Sequence, residues 1–317
     1  MRSFIAMLAL ALCTAAQGQT FPSRPVTIVV PYPPGGLIDL VARALQPFLQ
    51  TELGVSVLAE NHSGAGGNVG AEVVARSAPD GYTLLLANPS LAISPTLYKK
   101  LNYRPIEDFA YVGRYGSVAN VLVVNPSLPF KTAQELIAYA KSHPGKLNYG
   151  SPGYGTSPQL SSELFKTMTG TYIVHIPFRG AGPATAAMLG GDIEMMIDNI
   201  PPQVGNIKAG KVRALAVTSL QRNSALPDVP TMDEIGLKGY EVTAFFGLAA
   251  RAGTPRETVM RLNTALNNAT RTPKLREILE SRGAVVVQGT PEDFTNFIKA
   301  EIAKFAPVIK RTGVQVE

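Results

Sequence analysis

The chain has 317 residues, a formal charge of +6 at pH 7, 16% charged residues and a single cysteine, Cys13. Its basic residues are scattered and no basic stripe is interleaved with aromatics, which argues against nucleic acid and for a protein able to attract small anions. One cysteine excludes an internal disulfide and any metal site built from several thiolates.

Arg2 precedes an apolar run, Phe4 to Leu12, and then small residues up to Ala16-Gln17-Gly18. This pattern predicts a cleaved secretory signal peptide over residues 1–18. The run is shorter than the roughly 20 residues a bilayer span needs, and no later stretch is apolar enough to span. About 300 residues remain, enough for two lobes.

Val26-Thr27-Ile28-Val29-Val30 has the β-branched composition of a buried strand. Pro31 to Pro34 stiffen the following turn, and Gly35-Gly36 precede a helix read from Leu37, Leu40, Val41, Leu45 and Phe48. Strand, glycine pair, helix start is an anion-site geometry, because the first N–H groups of a helix lack partners and carry partial positive charge. A tight turn with nothing bound is the alternative. Asp39 is assigned a structural role, since a bare carboxylate facing a bound one would repel it.

Gly64, Gly66 and Gly70 follow the strand Val55–Asn61 with the spacing of a dinucleotide turn. The next strand, Leu84 to Ala87, closes on Asn88 where a ribose-binding acid is needed, so a turn that packs its helix is the better reading. Asn88 and Ser90, past the carboxyl end of that strand, are candidate ligand contacts or simply a capped loop. Thr132 and Glu135 form a capping box. Lys146–Tyr149 then leads into Gly150-Ser151-Pro152-Gly153-Tyr154-Gly155-Thr156-Ser157-Pro158, a second glycine- and hydroxyl-rich turn, with Ser157 read as the N-cap. His175 sits in an apolar strand as a satisfied histidine. Arg179 ends that strand and could pair bidentately with a carboxylate, or be simply a surface arginine. Asp198 and Asn199 end another strand and could hold the ligand's far end. Lys211–Thr218 and Glu241–Ala249, the latter carrying Phe245-Phe246, are further strands; Thr254-Pro255 and Thr290-Pro291 each open a helix.

A nucleophile elbow, a Walker loop, a zinc-protease motif and metal-spaced Cys/His clusters are all missing. The expectation is a binding protein with no enzyme activity, no cofactor and no metal.

Several stretches together resemble one family: Pro31-Tyr32-Pro33-Pro34-Gly35-Gly36 with Asp39 and Ala42-Arg43; Glu60-Asn61 with Gly64-Ala65-Gly66-Gly67; Ala78-Pro79-Asp80-Gly81-Tyr82; Gly150 to Thr156; Leu226-Pro227-Asp228-Val229-Pro230-Thr231; and Gly253-Thr254-Pro255. The chain resembles the substrate-binding proteins of tripartite tricarboxylate transport systems, the Bug receptors. The resemblance implies a two-lobed α/β fold of the type II periplasmic binding protein kind, closing on a small organic carboxylate for membrane components of a tripartite transporter, in the periplasm and as a monomer. It implies ligand contacts, partly through water, from Tyr32, Pro34, Gly35, Gly36, Leu37, Ile38 and Asp39, and from Ser151, Tyr154, Gly155, Thr156 and Ser157, with Phe245 where the family often has tryptophan. Ile38 stands where a small hydroxyl residue is common, and Gln159 where histidine is frequent. Lobe one is expected over residues 19–120 and 243–317, and lobe two over 121–242. The other readings are an NAD(P)-linked oxidoreductase and a periplasmic sensor of the same ligand.

Overall fold

A computed structural model describes residues 21–317, so the expected signal peptide lies outside the described residues. Among the described residues, no helix is long and apolar enough to cross a membrane.

The strands are β1 (Val26–Val30), β2 (Val57–Asn61), β3 (Thr83–Ala87), β4 (Phe109–Val124), β5 (Asn148–Ser151), β6 (Val174–Pro177), β7 (Met195–Asn199), β8 (Arg213–Val217), β9 (Thr243–Arg251) and β10 (Ala284–Val286). The helices are α1 (Leu37–Leu53), α2 (Asn68–Ala75), α3 (Ser90–Leu97), α4 (Ala133–Ser142), α5 (Ser157–Thr169), α6 (Ala181–Gly190), α7 (Ile200–Lys208), α8 (Arg256–Arg271), α9 (Pro273–Glu280) and α10 (Pro291–Thr312).

Two sheets share β4. Its first part, Phe109–Ala119, pairs antiparallel with β9, and β9 continues through β3 and β1 to β2. Its last five residues, Asn120–Val124, pair with β7, which continues through β5 to β6. Parallel neighbours β1, β2 and β3 on one side, and β5, β6 and β7 on the other, are βα units, so helices cover both faces of each sheet. The long strand changes sheets at Ala119/Asn120. There Thr218 staples the crossing chains: its Oγ1 accepts from the Asn120 N–H (2.8 Å) and donates to the Val242 carbonyl (2.6 Å).

Helix α1 shows why the local sequence folds as it does. Leu37, Val41, Leu45 and Leu49 recur every four residues and are buried against β1, and Gly54 ends the helix at φ +74°, a conformation that favours glycine. Leu40 and Phe48, read as part of that stripe, lie at its half-buried margins. The capping box at Thr132/Glu135 is present, and Thr290 caps α10 with Asp293 in the same way. Ser157 is not the N-cap of α5. Thr156 takes that place with extended backbone, its hydroxyl accepting from the Gln159 N–H at 3.4 Å, and Ser157 is the first helical residue. Pro255, rather than Thr254, is the N-cap of α8. The second sheet's core also takes in Ile93 and Leu97 from α3 and Phe305 and Ile309 from α10.

Candidate functional site

One cavity lies where the carboxyl ends of β1, β3, β5 and β7 meet, the position at which open α/β sheets bind ligands. Its volume is about 50 Å³. A single water needs roughly 10–15 Å³, so it suits a compact ligand. Five helices aim their N-termini at it. Their N-cap residues, Gly36, Pro89, Thr156, Gly180 and Asn199, all line the wall. Gly36, Gly180 and Asn199 offer no capping side chain to their own helices, so the N–H groups of Leu37 and Ile38, of Ala181 and Gly182, and of Ile200 remain for a ligand, while Pro183, Pro201 and Pro202 in those first turns have none. Among the described residues, no charged side chain lines the wall. Helix dipoles and N–H donors, rather than lysine or arginine, therefore supply the positive field.

The Gly35-Gly36 turn is held from behind. Asp39 is buried and takes hydrogen bonds from the Gly35 N–H (3.0 Å), Arg43 Nε (2.9 Å) and Asn61 Nδ2 (3.0 Å). Burial pushes its carboxyl up, but these donors, Arg43 first, outweigh burial and hold it below the ordinary carboxylate range. The Gly35 N–H is thus spent on Asp39, and Gly36, Leu37 and Ile38 face the cavity.

The opposite loop is braced by a histidine. His175 Nε2 lies 2.7 Å from Ser151 Oγ, which also accepts from the Gly153 N–H (3.2 Å), while Thr156 donates to the Gly153 carbonyl (2.8 Å). His175 stacks on Tyr149 at 4.5 Å and meets the edge of Tyr154 at 5.0 Å. Burial, with the Lys166 charge adding to it, pushes the imidazole down to about 4, so the ring is neutral near pH 7.

The two halves of the wall touch. A Cβ on Gly36 would sit 3.7 Å from the Ala181 Cβ, and one on Gly180 would sit 3.2 Å from Pro33. Beside the cavity, a Cβ on Gly66 would be driven into the Tyr154 carbonyl. A wider groove of about 620 Å³ opens behind the crossing strands, but its Lys304 pairs with Glu241 and Glu301 and its Arg222 with Glu234.

Of the expected contacts, Tyr32, Gly36, Leu37, Ile38, Asn88, Thr156, Ser157 and Asn199 line the cavity. Others stand outside its lining. Pro34 and Gly35 are exposed, and Asp39 points back into the turn. Ser90 is buried and gives its N–H to Asn88 Oδ1 (3.0 Å). Ser151 is wholly buried on His175; Tyr154 and Gly155 pack against Gly66 and Tyr98. Arg179 is exposed to solvent beyond β6, so the cation expected there is not in the wall. Asp198 turns into the protein and accepts from Gln203 Nε2 (2.7 Å). Phe245 is fully buried against Phe297 at 5.0 Å; its neighbour Ala244 is the one that reaches the cavity. Pro33 and Pro152, within the two loops that the resemblance pointed to, also line it, and Pro89, Pro158, Gly180, Ala181 and Ala244 line it without having been expected. The signal for the prolines was their place at strand ends; nothing in the sequence singles out Ala244.

Fold and site together define a two-lobed α/β protein of the periplasmic binding protein type, with its cavity between the lobes. The chain belongs to the tripartite tricarboxylate transporter receptor family, whose model matches residues 41–314. It is 38% identical to the protein BugT of Bordetella pertussis over 316 residues, 99% of this chain and 96% of that one. A Rhodopseudomonas palustris protein solved with adipate is 37% identical at a TM-score of 0.90, covering 93% of this chain and 99% of that one. MatC of Rhodopseudomonas palustris, solved with bound malate, is 34% identical at a TM-score of 0.87, covering 91% of this chain and 100% of that one.

Proposed function

We propose that this protein is a periplasmic solute receptor, and not an enzyme, that binds a small organic carboxylate by closing its lobes and delivers it to the membrane components of a tripartite transporter. The observation that carries the reading is the convergence of five helix N-caps on one uncharged cavity. A carboxylate there meets N–H donors from both sheets, so a bound ligand favours the closed arrangement over the open one. The adipate and malate seen in similar proteins are ligands of the same chemistry. Ser151 beside His175 has the look of a nucleophile and base, but Ser151 is wholly buried and outside the wall, where no substrate carbonyl reaches it.

We place lobe one over residues 19–120 and 243–317 and lobe two over 121–242, with the Asn120–Thr218–Val242 staple as the hinge. The receptor acts as a monomer. Calorimetry with a panel of mono-, di- and tricarboxylates, with small-angle scattering on the free and saturated protein, tests this. At least one acid should bind and should reduce the radius of gyration. Binding with an unchanged radius would remove closure, and binding of none of the acids would remove the carboxylate.

A further inference from the structure

We propose that the cavity selects a carboxylate whose hydrocarbon body carries no hydroxyl or amino group, and that Ile38 enforces the choice. This rests on the carboxylate-receptor reading above and narrows its ligand.

The warrant is an account of what the wall can still bond. Tyr32 gives its hydroxyl to the Gly66 carbonyl (2.8 Å). Asn88 donates to the Leu86 carbonyl (3.1 Å) and accepts from Ser90. Thr156 donates to the Gly153 carbonyl. Asn199 donates to Asn120 Oδ1 (2.5 Å) and towards Ser157 Oγ (3.3 Å), and Asn120 is held in turn by Ser161 Oγ at 2.7 Å. Among the side chains of the wall this leaves two uncommitted donors, the Ser157 hydroxyl and the second N–H of Asn88 Nδ2, and one acceptor with no partner of its own, Asn199 Oδ1. The helix N-termini add only donors. A cavity rich in donors and poor in acceptors matches carboxylate oxygens, which only accept. A hydroxyl or ammonium on the ligand must donate, and Asn199 Oδ1 is the one wall side-chain acceptor with no partner of its own to share.

Ile38 stands in the first turn of α1, beside the N–H groups that would hold the carboxylate, and is 8% exposed. With Leu37, Pro89, Pro158 and Ala244 it gives the ligand's body an apolar surround. A hydroxyl pressed there loses its water and gains nothing, which weakens binding by about ten- to a hundredfold. An ammonium suffers more, because five helix N-termini repel it.

The test is calorimetry on the mature protein with three matched sets: propionate, lactate and alanine; succinate, malate and aspartate; glutarate, 2-hydroxyglutarate and glutamate. In every set that binds, the unsubstituted acid should be about ten- to a hundredfold tighter than its hydroxy partner, and the amino acid weakest. Ile38→Thr trims the side chain by its δ-carbon and adds a hydroxyl, and should narrow the first gap by about tenfold, while Ile38→Val, which makes the same trim without a hydroxyl, should leave it. A hydroxy or amino acid binding as tightly as its parent would overturn the inference, as would an unchanged gap in folded Ile38→Thr. Should Ile38→Thr fail to fold, the wild-type order decides. Should none of the nine bind, the same comparison is made on whichever acid of the wider panel binds and its hydroxy and amino partners; binding of no acid at all would bring down the carboxylate reading, and this inference with it.

Discussion

Two glycine turns follow neighbouring parallel strands of the same sheet and open helices on its opposite faces, yet they do different work. At Gly35-Gly36 the glycines leave a helix start bare towards the cavity, and Asp39 draws the Gly35 N–H away so that Gly36, Leu37 and Ile38 are left to face it. At Gly64–Gly67 the glycines are spent on packing. Gly70, one turn on, lets α2 press against Pro31, and Gly66 lets the Tyr154 carbonyl of the other half approach. A glycine before a helix thus reports that something comes close. Whether that is a ligand or the opposite wall is decided by what stands across the gap.

Position 36 gives the largest expected effect. Gly36 has φ −81° and ψ 173°, so its backbone needs no glycine. A methyl there meets Ala181 at an ordinary 3.7 Å, whereas a branched side chain overruns it. Gly36→Ala should keep affinity within a few-fold. Gly36→Val should block both the carboxylate and the approach of Ala181, losing one or two hydrogen bonds to a charged group, each worth roughly 1.5–3 kcal/mol. That is on the order of ten- to several-hundredfold in affinity. Calorimetry on variants shown to be folded by circular dichroism decides; wild-type affinity in Gly36→Val would move the carboxylate to the Thr156–Ser157 side.

Position 66 tests closure from outside the cavity lining, which it meets only through the Tyr32 hydroxyl on its carbonyl (2.8 Å). Gly66→Ala drives a methyl into the Tyr154 carbonyl and towards Tyr98, at a backbone φ of +66°. Gly35→Ala is its control, since Gly35 also has φ of +89° but open space around its Cβ. Each pays about 1–2 kcal/mol for the left-handed backbone. Only Gly66→Ala should also hold the lobes apart, with a several-fold to tenfold loss of affinity and a larger radius of gyration at saturation. Equal affinities for the two variants would mean that the Gly66–Tyr154 approach contributes nothing to closure.

The fold was legible because its signals are local. Strand β1 is all β-branched or apolar, α1 repeats its leucines at helical spacing, and the capping box at Thr132/Glu135 announces α4. Half of the site was legible for the same reason, since Gly36, Asn88, Thr156, Ser157 and Asn199 all stand where strands end. The rest depends on direction. Whether Asp198 or Asn199 faces the cavity is a matter of strand alternation relative to a wall the sequence does not show, and Phe245 and Ala244 exchange roles for that reason. Arg179 read well as a carboxylate partner by chemistry alone, but it lies on the solvent side of β6's end. The role of Gly66 needed Tyr154, 88 positions along the chain, to be brought beside it.

The smallest expected effect on affinity, and the clearest on pH, comes from two buried carboxylates set one behind each half of the wall. Asp39 and Asp198 are 3% and 0% exposed. Asp39 has three donors; Asp198 has Gln203 on one oxygen and no side-chain partner on the other. Burial lifts Asp198 to about 6, only partly offset by Gln203 and the Asn199 N–H, whereas the donors on Asp39 leave it lowered. The signs are opposite. Asp39 adds stability above the unfolded value of about 3.9, lost as pH falls through its lower folded value. Asp198 favours the folded state fully only below about 3.9, and that advantage disappears as pH rises through about 6. Asp39→Asn should therefore cost about 1–3 kcal/mol at pH 7 by turning a donor against donors. Asp198→Asn should gain on the order of 1–3 kcal/mol at pH 7.5 and nothing at pH 4, because the amide has no charge to bury. Neither group lines the cavity, so affinity in folded Asp198→Asn should stay within about threefold, while a shifted Gly35-Gly36 turn would show in Asp39→Asn as a somewhat larger loss. Urea midpoints of the three proteins from pH 4 to 8 read the difference directly. A gain for Asp198→Asn that is constant across that range would mean that the folded and unfolded proteins bind the same number of protons there, and that burial does not raise the Asp198 carboxyl.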